Sequence, residues 1–367
     1  QKPWAKELCE ELGLSERLIP TSSRRVWVWY GGRLHEMPEG VFLTVPTRIG
    51  PFLKSSLLSW RGKLRMGLDL VLPRGPDVED ESIGSFIRRR LGAEALEKLA
   101  EPIMAGIYVA SADELSLRST FPRMAQLERE HRSLIRGLRK APPAGNVSPF
   151  LSLRGGMGEL VERLLARMPG VAVLTGRSAV EITPSWTVRL DDGRLETDHV
   201  VLAVPSHEAA RLWPGVPTVR YVTTHVVSLA YAKFRELEGT GFVIPRTQNR
   251  RILACTWSSN KFAGRAPDDR LLVRCFLKGD VADPGRVAAE EMRELLGAPA
   301  EPQMSRVFSW PERNPVYEVG HARRIAEAEA MLPPGLHLCG SAWHGTGLPD
   351  CIRDGREVAR KVLGPKS

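Results

Sequence analysis

Apolar residues recur at helical spacing over residues 3–18, at Trp4, Leu8 and Leu12, and Pro3 suits a first helical turn. A helix is expected to open the chain. Residues 25–37 alternate instead, with Val26, Val28 and Tyr30 ahead of Gly31-Gly32 and Leu34 beyond, the pattern of a hairpin. From 46 to 140 the period is helical almost throughout, in 52–60, 64–72, 83–91, 95–103 and 124–138. The breaker-rich Ala141-Pro142-Pro143-Ala144-Gly145-Asn146 reads as a linker.

After the linker, Leu151-Ser152-Leu153-Arg154-Gly155-Gly156-Met157-Gly158 leads into a helix with an apolar face of Leu160, Val161, Leu164, Leu165 and Met168. Strands are expected at 171–174 and 179–182, a further pair about the Asp191-Asp192-Gly193 turn, and a buried strand at 199–204 ending on Pro205. Residues 217–330 mix strands (226–232, 271–277) with helices (286–296, 321–331). A last strand, 336–339, passes through a glycine-rich turn into a last helix, 349–363. This order predicts an α/β fold, a nucleotide-binding layer interrupted by a helical insertion and by a mixed α+β domain.

Composition narrows the picture. The 367 residues, 43% hydrophobic and 26% charged, suit a globular protein of two or more domains. The longest apolar runs fall far short of the roughly 18 residues that cross a bilayer. The five cysteines (Cys9, Cys255, Cys275, Cys339, Cys351) stand mostly in apolar runs without metal or disulfide spacing and read as reduced, buried thiols. With no secretion signal, a cytoplasmic location is expected. The net charge of +9 carries no basic block interleaved with aromatics. Arg88-Arg89-Arg90 and the stretch from Arg136 to Lys140 read as solvated helix faces, so no nucleic-acid partner is expected.

The segment most able to carry chemistry is Leu338-Cys339-Gly340-Ser341-Ala342-Trp343-His344-Gly345-Thr346-Gly347-Leu348-Pro349. Glycines let a ligand approach the backbone, and the following helix N-terminus presents N–H groups to an anion or to a ring that gains charge on reduction, such as a flavin. The same pattern also suits an ordinary tight turn. Arg154-Gly155-Gly156-Met157-Gly158 is no dinucleotide fingerprint, because position 161 is Val, and it reads as a close-packing turn. There is no metal-binding spacing, P-loop or nucleophile elbow, and no catalytic acid or base stands out. His131, beside Leu127, Leu134 and Ile135, reads as a core histidine. Trp310, next to Pro311, could cover a cofactor ring or pack in the core.

The run from Gly106-Ile107-Tyr108-Val109-Ala110 through Asp113-Glu114-Leu115-Ser116-Leu117-Arg118-Ser119-Thr120-Phe121-Pro122 to Leu127-Glu128-Arg129-Glu130-His131, with the turn from Gly345 to Ile352, resembles the oxygen-dependent protoporphyrinogen oxidases and their coproporphyrinogen-oxidising bacterial relatives in the flavin amine-oxidase superfamily. Asp80-Glu81-Ser82-Ile83-Gly84-Ser85-Phe86 and Val316-Tyr317-Glu318-Val319-Gly320-His321 fit the same family, so the resemblance covers essentially the whole chain.

The resemblance implies an FAD cofactor and six-electron oxidation of protoporphyrinogen IX to protoporphyrin IX in haem biosynthesis, with oxygen as acceptor. Its alternatives are oxidation of coproporphyrinogen III to coproporphyrin III, another superfamily chemistry on an amine or a carotenoid, and a non-catalytic fragment unable to hold FAD. Carried over by residue, Val180 would meet the adenine end through its backbone, Trp310 would lie near the flavin, and Thr346, Gly347 and Leu348 would underlie the isoalloxazine. Val243 and Phe276 would sandwich the tetrapyrrole, and Arg48 is a candidate for a propionate. The sequence departs from the family pattern at Ser341 and Trp343.

The resemblance further implies an FAD-binding domain at 148–205 and 333–367, Rossmann-like but lacking its N-terminal βαβ unit, with 1–20 as another part. It places a substrate domain at 21–45 and 206–332 and a membrane-facing helical domain at 46–147. The expected partners are the porphyrinogen, the inner face of the cell membrane as a peripheral contact, and a second copy of the chain as a homodimer.

Overall fold

The computed structural model describes residues 2–42, 44–140, 148 and 150–364, so the expected linker at 141–146 lies outside the described residues. The chain divides into two compact units: Gln1–Leu18, Leu153–Arg220 and Gly320–Ser367 form the smaller, and Ile19–Ser152 with Tyr221–Val319 form the larger.

The larger unit is built on a seven-stranded mixed sheet. Its spatial order is Met304–Pro315, Tyr221–Ala232, Arg270–Lys278, Ile252–Trp257, Gly241–Val243, Trp27–Tyr30 and Arg33–Glu36. All neighbours are antiparallel except Gly241–Val243 against Trp27–Tyr30. The expected hairpin at 25–37 is present, with Gly31 and Gly32 both at positive φ (58° and 80°), the backbone that a two-residue turn between twisted strands requires.

The strand Met304–Pro315 was not expected from the sequence. It mixes apolar and charged residues without alternation, contains Pro311 and is exposed on both faces over most of its length, as an edge strand tolerates and a central strand does not. One face of the sheet buries Val227, Leu229, Tyr231, Val273, Cys275 and Leu277 against Ala288, Met292 and Leu296 of the helix Pro284–Leu296. The other face is covered by the helical segment at Val28, Val243 and Ala254 and opens toward Phe276, Val226 and Phe308.

The helical segment belongs to this larger unit, with helices at Ile49–Lys54, Trp60–Gly67, Ile83–Leu91, Glu101–Tyr108, Pro122–His131 and Leu134–Lys140. The expectation that Arg88-Arg89-Arg90 is a solvated face is corrected at two positions. Arg90 is buried; its guanidinium donates to the Asp69 carboxylate and to the carbonyls of Asp69, Pro73 and Arg132. Asp69, also buried, accepts from the Ser133 hydroxyl (2.7 Å) and the Ile135 N–H (3.0 Å). The pair thus ties three helices through one charge-satisfied knot, and leaving either charge alone there would cost roughly 3–5 kcal/mol. Arg89 is clamped between Glu81 and Glu128. His131 is half-buried at a helix end beside Glu130.

In the smaller unit, Val200–Leu202 pairs in parallel with Leu336–Leu338, and Ala179–Ile182, Thr187–Leu190 and Gly193–Glu196 form an antiparallel sheet. Leu202, Leu212, Ile325, Leu338, Ala342 and Trp343 contribute to its core. The expected strand at 171–174 does not form. Val171 and Val173 are exposed, and no strand pairs with them among the described residues. Of the expected apolar face on Gly158–Ala166, only Leu160 is buried. No helix of the described residues is long and apolar enough to cross a membrane.

The turn after Leu336–Leu338 is pinned by the 16-residue helix Leu348–Leu363 that follows it. Asp354, buried on that helix, accepts from the Gly340 N–H (2.7 Å) and from His344 Nδ1 (2.8 Å), while His344 Nε2 reaches Glu329 at 3.3 Å. Two carboxylates flank one imidazole, so both ring nitrogens donate and the ring is protonated. The hydrogen bonds to Asp354 and then Glu329 push His344 up to about 9 from its ordinary 6.5. Burial raises Asp354, but the bonds from His344 and Gly340 outweigh it and hold the carboxyl below its ordinary 3.8. Glu329 is likewise lowered from 4.5, first by its bond to His344.

A raised histidine stabilises the fold fully below its unfolded value and loses that contribution as pH climbs through the folded value. Stability measured by thermal unfolding should therefore fall as pH rises from 6.5 through about 9. Asp354→Asn should flatten that slope; a wild-type slope unchanged by the substitution would contradict the assignment.

Candidate functional site

Two features carry the sequence-predicted residues, one in each unit. In the smaller unit, the turn from Gly340 to Gly347 delivers the chain to the helix Leu348–Leu363. Gly345 sits at φ 138°, and a Cβ there would stand 2.5 Å from the Cβ of Asp350. Only glycine fits, so the Asp350 side chain can tuck under the turn, where it pairs with Lys2. Gly347 caps the helix without any side-chain hydrogen bond, and Pro349 occupies its first turn.

Thr346, Gly347 and Leu348 therefore stand together at an open helix N-terminus, with Leu348 46% exposed. At Gly340 (φ 110°) nothing lies within 4 Å of where a Cβ would be, which leaves an open cradle at the strand's end. Trp343 instead belongs to the core and Ser341 is half-buried. Burial pushes the nearby Cys339 thiol up to about 11, with Asp354 adding to the effect, so it stays a neutral thiol.

Val180 lies in the same unit, at the irregularity where Ala179 pairs with Leu190 but Glu181 pairs with Arg189. It is the extra residue of a β-bulge, a feature that releases backbone from the ladder. Arg211 fixes it by donating to the carbonyls of Val180 (3.0 Å) and Ala179 (2.8 Å).

The larger unit gathers the other residues on the open face of its sheet. Cross-strand registers place Val243, Ala254, Phe276, Val226 and Phe308 in one row over five strands. A cavity of about 440 Å³ lies on this row, lined by Gly106, Ile107, Val109, Val226, Phe276 and Trp310 with Thr224, Arg313 and Asn314. Phe276 and Trp310 thus share one cavity. Val243 lies at the end of the row against Gly106 of the helix Glu101–Tyr108. Thr224, opposite Trp310, is held by a bond from the Asn314 amide (2.8 Å).

Arg48 is elsewhere: it precedes the helix Ile49–Lys54, folds its stem over Gly40 and pairs with Glu39 at 3.2 Å, exposed. A larger cavity of about 600 Å³ lies beside Arg88, Glu97, Glu101 and Arg246. Its charges satisfy one another, Arg88 with Asp113 and Arg246 with Glu101, so it has less to offer a ligand. Among the described residues no group of His, Cys, Asp and Glu could hold a metal ion.

Sequence reasoning missed Asp354, Glu329 and Gly106. The readable signal for Asp354 was a second carboxylate four residues after Asp350 on the face that also carries Cys351 and Val358. Gly106 had no such signal, since its role comes from a helix meeting a sheet.

The family of flavin containing amine oxidoreductases matches residues 1–363. Coproporphyrinogen III oxidase of Bacillus subtilis is 33% identical over 99% of this chain and 84% of its own length. That of Propionibacterium freudenreichii is 37% identical over 99% and 80%. Protoporphyrinogen oxidase of Bos taurus is 30% identical over 97% and 84%. A crystal structure of a protein from Exiguobacterium sp. 255-15 superposes with a TM-score of 0.87 at 26% identity, covering 99% of this chain and 86% of that one. The chain belongs to the flavin containing amine oxidoreductases, oxidoreductases that use FAD, and within them to the group that holds the coproporphyrinogen III and protoporphyrinogen oxidases.

Proposed function

We propose that this chain oxidises a porphyrinogen to the corresponding porphyrin. The observation that carries the reading is the apolar cavity on the open sheet face. A porphyrinogen is broad and apolar at its centre and anionic at its rim. It suits a wall of Phe276, Val226, Ile107 and Val109 far better than a polar groove. The relatives named as coproporphyrinogen III and protoporphyrinogen oxidases support the class and leave both substrates in play.

FAD, when bound, supplies the electron acceptor for each dehydrogenation. Thr346, Gly347 and Leu348 would hold the isoalloxazine, and the helix N-terminus would favour a ring that gains negative charge. The open cradle at Gly340 fits a ring passing close to backbone, and the bulge at Val180 suits contact with the adenine. Trp310, half exposed, presents an aromatic face to the cavity. The residues lining the cavity include no carboxylate or imidazole, so the chain's share of catalysis is orientation.

The helical segment adds a membrane contact to this reading. The helix Trp60–Gly67 is inside out: Lys63 is buried and donates to the carbonyls of Leu53 and Ser55, both at 2.7 Å, while Trp60, Leu64, Leu68 and Val71 form an exposed stripe. Apolar residues outside and a cation inside suit a lipid surface with the helix lying in its plane.

Phe276→Ala should lower kcat/KM at least tenfold in a porphyrin-fluorescence assay with the FAD-loaded chain and anaerobically prepared porphyrinogen, through loss of buried apolar contact. A wild-type rate no faster than spontaneous oxidation would overturn the reading. Leu64→Glu with Leu68→Glu should reduce cosedimentation with phosphatidylglycerol–phosphatidylethanolamine vesicles by roughly tenfold or more, since each buried leucine is worth about 1.5–3 kcal/mol. Equal sedimentation of wild type and variant would remove the membrane contact.

A further inference from the structure

We infer that Arg274, Arg306 and Lys261 form a carboxylate-binding shelf along one side of the apolar row, and that this shelf selects a macrocycle with more propionates. The inference rests on the porphyrinogen reading above and names the substrate within it. Side chains two residues apart on a strand share a face. One step along the strands from the row of Ala254, Phe276, Val226 and Phe308 therefore comes a second row, Thr256, Arg274, Ser228 and Arg306. Apolar and cationic rows lie side by side on one surface, spaced by the rise of two strand residues, about 7 Å. That matches a ring whose body is apolar and whose rim is acidic.

Lys261 belongs to the same cluster. It ends the short helix Ser258–Lys261, which continues directly from the strand carrying Thr256, and its ammonium lies 5.0 Å from the Phe150 ring. Arg274 stacks its guanidinium 5.3 Å from the ring of Phe276, the aromatic that lines the cavity, so the charge lies next to the bound ring's edge. None of these three cations is in an ion pair among the described residues, although exposed arginines elsewhere in the unit, such as Arg48, Arg88 and Arg286, have found a carboxylate.

Their surroundings work against the charge. Desolvation, followed by the nearby Arg274, holds Lys261 below the usual lysine range. Arg274 is open to solvent yet crowded by protein, and desolvation, helped by Arg265, lowers it too. Cation–π contact offers about 0.5–1 kcal/mol at such sites, which does not by itself account for gathering like charges beside an apolar wall. An anion arriving from outside does. The ordinary reading of a basic patch, a solvated surface, fits neither the half-buried lysine nor the alignment with the cavity row.

Coproporphyrinogen carries propionates where protoporphyrinogen carries vinyl groups, so the shelf favours the former. A charge-assisted hydrogen bond to each such carboxylate is worth roughly tenfold to a hundredfold in affinity.

The test is fluorescence titration of the purified chain with coproporphyrin III, with protoporphyrin IX and with the uncharged tetramethyl ester of coproporphyrin III, repeated for Arg274→Gln, Arg306→Gln and Lys261→Gln. Wild type should bind coproporphyrin III most tightly. Arg274→Gln should weaken that binding roughly tenfold or more and leave the ester unchanged, with Arg274→Lys restoring part of the loss. Arg306→Gln, on the exposed edge strand, provides an independent variant whose folding is not at stake. Equal affinity of all variants for coproporphyrin III, or parallel losses for acid and ester, would overturn the shelf while leaving the porphyrinogen reading intact. If wild type binds none of the porphyrins, the porphyrinogen reading fails first and the shelf fails with it.

Discussion

The larger unit depends on an imbalance between the two faces of one sheet. One face is closed by the helix Pro284–Leu296 over Val227, Leu229, Val273 and Cys275, and that burial fixes strand register, because a slip by one residue would turn these side chains outward. Once register is fixed, the opposite face has no freedom: Val226, Phe276 and Phe308 must align, and so must Ser228, Arg274 and Arg306 beside them. The apolar wall and the cationic shelf are consequences of the same packing that stabilises the unit.

A comparable economy holds in the smaller unit. The helix Leu348–Leu363 supplies both an N-terminus that can face a flavin and the carboxylate that fixes the turn leading into it. Asp350 fills the space that Gly345 leaves, and Asp354 binds Gly340 and His344, so both ends of the turn are held from one helix. Helix N-terminus and turn are therefore positioned together.

Much of this was legible in the sequence where local periodicity and burial agree. The hairpin about Gly31-Gly32, the helix at Pro284–Leu296 and the strand–turn–helix at the C-terminal end all follow from short-range pattern. The pattern was misleading where tertiary context sets the outcome. Arg90 is charged and yet central, because Asp69 and three carbonyls wait for it from distant segments. Trp60 and Leu64 look like core residues and lie outside, because the space beneath their helix is taken by Lys63 and Met66. Val171 and Val173 have strand propensity without a strand beside them. Of the site residues, Phe276 and Trp310 were named from the family pattern, but their shared cavity and the cationic row next to it appear only when the strands are set in register.

The central claim is that the open sheet face receives a porphyrin ring. A crystal structure of the chain with coproporphyrin III bound tests it most directly. The account predicts the ring against Phe276, Val226, Ile107 and Val109, with carboxylates directed at Arg274 and Lys261. A ring held in the polar cavity beside Arg88 and Arg246, with the sheet face empty, would contradict it.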